Sequence, residues 1–141
     1  MNLNPYEPPG PHDDRPGIEP PQRTIFILAA IGAWIAGAYW AALTLLLGLG
    51  VAAGSVSATQ IILPCVLIGL YAVRGFQIFK GDPAAARRVL WLHGIGGIVA
   101  LVQMFSGGAL LIVLQAFKVA IHGFGAVTAY LAGRALSRGR T

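Results

Sequence analysis

Thr24–Val73 reads TIFILAAIGAWIAGAYWAALTLLLGLGVAAGSVSATQIILPCVLIGLYAV, fifty residues without one charged side chain. A soluble domain of this size cannot bury so much uninterrupted apolar surface, whereas a helix crossing a bilayer needs about 20 such residues. The stretch therefore holds two spans, joined by the small and polar segment 50–57. Beyond it, Arg74, Lys80, Asp82, Arg87 and Arg88 form a charged interval. A second apolar tract, Val89–Gly133, then carries Lys118 as its only formal charge and has room for two more spans. The expected fold is an all-α integral membrane four-helix bundle made of two antiparallel hairpins. Its helices are placed at about 24–49, 58–80, 83–105 and 109–135, within a domain covering 23–136.

Composition agrees with lipid as the solvent. The chain is 56% hydrophobic and only 11% charged, against about 25% charged for a typical soluble protein. Its 141 residues suffice for one compact bundle and leave no length for a separate soluble catalytic domain. The single cysteine, Cys65, excludes an intramolecular disulfide and a thiolate metal cluster. The net charge of +5 is read as loop bias and affinity for anionic headgroups, not as a nucleic-acid footprint.

Residues 1–22 contain seven of the nine prolines and four of the five acids. So little apolar content cannot offset the entropy of ordering, and a disordered, proline-rich tail is expected. PPxY and PxxP ligand patterns are only half formed there. A cleavable signal peptide is not expected, because the apolar stretch exceeds the 7–15 residues of a signal core. A short basic tail, 137–141, closes the chain.

Local signals mark the helix ends and faces. In Gly81-Asp82-Pro83, glycine suits the end of one helix, Asp82 the N-cap of the next, and Pro83 its first turn. Ala29, Ala33, Gly37 and Ala41 recur every four residues in the first helix, and Gly125, Ala129 and Gly133 do so in the fourth. Such stripes allow close approach of a neighbouring helix. Arg15, Arg23, Arg74, Lys80, Arg87, Arg88, Arg134, Arg138 and Arg140 all fall on one side of this map, and segments 50–57 and 106–108 on the other side have no Lys or Arg. The positive-inside rule then places both termini in the cytoplasm.

The candidate site residues are the polar groups inside the spans: Lys118, His122, His93, Gln115 and Gln103. Gln115, Lys118 and His122 share one face of the fourth helix, and His93 lies at the same depth on the third. Lys118 sits ~15–17 Å from the 106–108 turn at 1.5 Å per residue, near the midplane. A lysine there costs about 2.5–3.5 kcal/mol on insertion scales, and none of the five acids falls in a span. It must therefore lose its charge, snorkel, bond to Gln115 or Gln103, or meet an anionic group from outside the chain. Two histidines at one depth also raise bis-histidine haem ligation, although hydrogen bonding to Gln103, Gln115 or backbone carbonyls accounts for them more simply. Four ligands for a zinc site cannot be assembled. No Ser-His-Asp set, phosphate loop or paired carboxylates occur, so no catalytic or metal-binding residue is assigned.

One resemblance adds to this reading. Asn4-Pro5-Tyr6-Glu7-Pro8-Pro9 resembles the NPYxPP opening of many small uncharacterised bacterial inner-membrane proteins with a few hydrophobic helices. The Gly-Asp-Pro connector with Arg87 and Arg88 is similar to their short basic loops. The resemblance implies a bacterial inner-membrane location and no particular activity. The leading expectation is a non-catalytic accessory or assembly subunit without a cofactor, in contact with lipid and with further copies or a larger membrane complex. A small b-type cytochrome using His93 and His122, and a permease for a small anion using Lys118 and Gln115, are the alternatives. Small drug exporters of similar size rest on a glutamate in their first helix, and this first helix has no acid.

Overall fold

A computed structural model describes residues 20–105 and 109–135. Four α-helices account for almost all of them: α1 (Pro20–Ala52), α2 (Ile62–Phe79), α3 (Pro83–Met104) and α4 (Ala109–Ala135), with a 3-10 turn (Ala58–Ile61) leading into α2. Each of the four is long and apolar enough to cross a membrane. The tails 1–19 and 136–141 and the turn 106–108 lie outside the described residues.

Helix boundaries follow local chemistry. α1 begins at Pro20, inside the segment expected to be tail, and runs on to Ala52 where an end near residue 49 was expected. Prolines suit a first turn, since the N–H they lack would have no intrahelical partner there, and Pro20 and Pro21 take those places. Gly54, at φ +72°, ends α1, and the Ser55 and Val56 N–H groups donate back to the Gly50 carbonyl. α2 was expected from residue 58. Instead the α-helix proper starts at Ile62, which places Pro64 within the first turn, where its missing donor leaves no gap in the ladder.

The α2–α3 connector forms as the sequence predicts. Gly81 has φ +86°, its N–H donates to the Ile78 carbonyl at 2.7 Å, and the Asp82 N–H donates to the Gln77 carbonyl at 3.0 Å. This is a Schellman closure, which satisfies carbonyls that the last turn would otherwise leave open. Asp82 Oδ1 then accepts from the Ala84 N–H at 2.8 Å, and Pro83 opens α3.

The main helix contacts are α3 with α4 and α1 with α2, as two hairpins; α1 against α4 joins them, and α2 touches α3 more lightly. Small residues make these seams. Ala29, Ala30, Ala33, Ala36, Ala85, Ala86, Ala129 and Ala132 are fully buried. Gly37 packs against Tyr71, and the Gly32 backbone approaches Gly125, where an added methyl would sit 3.1 Å from the facing Cα. Ala41 is half-buried at the fading end of its stripe, and Gly133 faces the stem of Arg87. Large side chains such as Leu45, Leu63, Trp91, Ile98, Phe105 and Phe117 point outward. In water that arrangement would be untenable; against acyl chains it is the expected surface.

Candidate functional site

Buried polar and aromatic residues from all four helices meet inside the bundle, as a Tyr71–His93–His122 cluster and a Lys118–Trp40 pair. Tyr71 comes from α2, His93 from α3, and Gln115, Lys118 and His122 from α4, with Trp40 of α1 beside them. His93 and His122 are 1% and 2% exposed, and their Nδ1 atoms stand 3.1 Å apart. Two imidazolium ions would set donor against donor, so the contact requires at least one unprotonated Nδ1. With both rings neutral, one Nδ1 donates and the other accepts. The donor's Nε2 is then a bare lone pair and the acceptor's Nε2 carries the proton. Neither Nε2 has a hydrogen-bond partner. Tyr71 covers the pair, with its ring centroid 5.1 Å from that of His93 and 6.4 Å from that of His122.

Glycines create the space. The His93 ring lies on Gly125, where an added Cβ would collide with the imidazole, and the His122 ring lies on Gly96, where an added Cβ would sit 2.6 Å from Nε2. The contact is reciprocal because the sequence is. His93-Gly94-Ile95-Gly96 on α3 matches His122-Gly123-Phe124-Gly125 on α4, and the likeness continues to the buried Ala100 and Ala129. In an antiparallel hairpin each histidine meets the glycine three places after the other histidine. This eight-residue internal repeat is present in the sequence, carried by glycine and alanine spacing and not by polarity.

Lys118 is 6% exposed, and its Nζ lies 5.1 Å from the ring centroid of Trp40. Among the described residues neither glutamine bonds to it, and its amine lies over the indole face instead. Gln115, half-buried one turn earlier, has an Oε1 without a hydrogen-bond partner, as does the Trp40 Nε1. Gln103 is exposed and does not join the cluster. The histidines likewise bond to each other where glutamine or carbonyl partners had been expected. Asp82, the only acid among the described residues, is engaged as a helix cap.

The arrangement does not fit a bis-histidine haem. Iron between two imidazoles needs roughly 2 Å to each nitrogen, hence about 4 Å between them, with a macrocycle spread across the gap. Here the facing nitrogens are at 3.1 Å and each ring rests on helix backbone. Among the described residues, no group of three or more His, Cys, Asp or Glu side chains is placed to hold a metal ion.

Fold and site together define a multi-pass membrane protein with a buried histidine pair and a buried lysine in its bundle. No protein-family model, curated protein or solved structure matches the chain.

Proposed function

We propose that this is a non-catalytic accessory or assembly subunit of a bacterial inner-membrane complex, with both termini in the cytoplasm. The observation that carries the reading is the use made of the interior. The space between α3 and α4 is filled by two imidazoles bonded to each other and seated on glycine backbone, a rigid lock with no room for a substrate between the rings. A protein that devotes its buried histidine pair to its own packing offers its outside as the working surface, and here that surface is apolar around all four helices. The orientation is supported by Arg23, Arg74, Lys80, Arg87, Arg88 and Arg134, which fall at one end of the bundle. The location is also what the NPYxPP opening implies.

The test is to purify the full chain from native membranes in mild detergent. A stoichiometric second protein, or a defined oligomer of this chain, is expected. A monodisperse single copy, unchanged after crosslinking in the intact membrane, would overturn the proposal.

A second reading has its own support. Lys118 is a buried basic residue near the midplane, and Trp40 Nε1 and Gln115 Oε1 lie buried without partners. That combination suits passage of a small anion. Lys118→Met should then abolish anion uptake into proteoliposomes, and equal uptake by both proteins removes the reading.

A further inference from the structure

Burial divides the bundle into a packed half and an open half, and the division falls at Lys118. In α1 the last buried residue is Gly37, and in α3 it is Ala100. In α2 only Pro64 is buried before Tyr71, and in α4 no residue described from Ile112 onward is buried before Lys118. The packed half leads to the charged end, and the open half faces the end without basic residues. The α1 face that packs on Tyr71 through Gly37 continues with Ala41, Thr44 and Gly48. All three are partly exposed, and a Cβ added at Gly48 would meet nothing within 4 Å. The helices therefore separate beyond Trp40, and Lys118 stands at the floor of the space between them.

The polar groups at this floor are left incomplete. Lys118 Nζ faces the Trp40 ring, with 5.1 Å to its centroid, and the Nε1 of that same ring is buried without a hydrogen-bond partner. Gln115, one turn before Lys118 on the same face of α4, has a buried Oε1 that is also unpartnered. A half-turn of the amide exchanges its oxygen and nitrogen, so Gln115 presents N–H here as readily as C=O. Asp82, the only acid among the described residues, caps α3 and balances no charge at this level. Buried polar atoms are nearly always satisfied by protein, water or an ion. Two orphaned atoms beside a buried amine point to an occupant.

We propose that Lys118, Trp40 and Gln115 bind a small monovalent inorganic anion of the halide class, which enters from the end without basic residues. One ammonium balances one negative charge, whereas a divalent sulfate or phosphate would leave a net charge inside the bilayer. An ammonium is also a point charge, without the planar fork that favours carboxylates and phosphodiesters, and it suits a spherical ion. The indole N–H and the amide N–H complete the shell. A lipid headgroup is at the wrong depth, because Lys118 lies nine residues beyond Ala109, the start of α4, about 14 Å at 1.5 Å per residue. One turn further on is His122, where the imidazole pair and Tyr71 fill the interior. The proposal rests on the same buried amine as the anion-passage reading, yet it requires binding alone.

The test uses Trp40 as the reporter. The full chain carrying Trp34→Phe and Trp91→Phe, purified in an uncharged detergent and sulfate buffer, keeps Trp40 as its sole indole. Bromide, a heavy-atom quencher, should quench its fluorescence saturably, and chloride should compete while sulfate at equal ionic strength should not. Lys118→Met should weaken bromide at least about tenfold, the scale of one lost hydrogen bond to a charged group. Gln115→Leu, which keeps the charge, should weaken it less. Thermal melts confirm that each variant is folded. Quenching that rises linearly with bromide, or is equal in Lys118→Met, overturns the proposal, and so does competition by sulfate as strong as by chloride. A co-purified anionic lipid that has to be removed before bromide binds overturns it in favour of a headgroup site. Uptake into proteoliposomes is measured in parallel. Saturable binding without uptake removes the passage reading and supports this one, and uptake without saturable binding does the reverse.

Discussion

At the level of single residues, the decisive contact is a ring on a glycine. Gly125→Ala drives a methyl into the His93 imidazole, and Gly96→Ala does the same at His122. Overpacking of this kind costs about 1–3 kcal/mol, so each variant should unfold earlier than the parent in a detergent thermal melt. Gly94 and Gly123 sit beside these positions, yet an added Cβ there meets nothing within 4 Å. Gly94→Ala and Gly123→Ala should therefore be neutral or stabilising, by up to about 1 kcal/mol from helix propensity. Equal losses at all four glycines would contradict the seating described above. The histidines form a second, coupled pair. His93→Leu or His122→Leu strands the opposite Nδ1, at about 1–3 kcal/mol each. The double variant strands neither nitrogen, and a double-mutant cycle should show it losing clearly less than the sum. Additive losses would mean that the 3.1 Å contact contributes nothing.

At the level of elements, the helix caps decide where spans begin. Asp82→Ala removes the acceptor of the Ala84 N–H and should cost ~0.5–2 kcal/mol, while Asp82→Asn or Asp82→Ser should recover most of it. Thermal melts of the three variants check this ordering. The same connector shows what a sequence makes legible. Gly81, Asp82 and Pro83 have backbone demands so specific that their roles can be read without coordinates, and all three are met. The small-residue stripe of α1 was equally legible, since Ala29 and Ala33 are fully buried and Gly37 packs on Tyr71. The start of α1 was not. A run of prolines reads as tail by composition, although a proline in a first turn is compatible with helix. The candidate site was half legible. His93, His122 and Lys118 stand out in the sequence by their polarity and all three are buried, but their partners are not those expected. Partner choice depends on helix rotation and separation, which the glycines set, and polarity alone carries no information about either.

For the whole molecule, the expected test is topological. In a Cys65→Ser background, a cysteine at Ser55 and one at Arg88 should be labelled by a membrane-impermeant maleimide from opposite sides of the bilayer. Ser55 lies in the turn after α1, and Arg88 is exposed in the first turns of α3 at the charged end. Labelling of both from one side would contradict four spans. The bundle's two hairpins also hold unequal kinds of seam. α1 and α2 pack through alanine, Gly37 and the indole of Trp34 lying on Gly75, whereas α3 and α4 pack through the histidine–glycine exchange.

That exchange has a consequence for single helices. Because His122 and Gly125 lie on one helix, α4 carries both the knob and the socket of the contact it makes with α3. Two α4 peptides laid antiparallel would complete both halves, which makes the segment self-complementary. A synthetic peptide spanning residues 109–135 should accordingly pair with itself in micelles, head to tail, and lose that pairing when glycine 125 is replaced by alanine. The α3–α4 pair then has the symmetry of a dimer of one helix within a single chain.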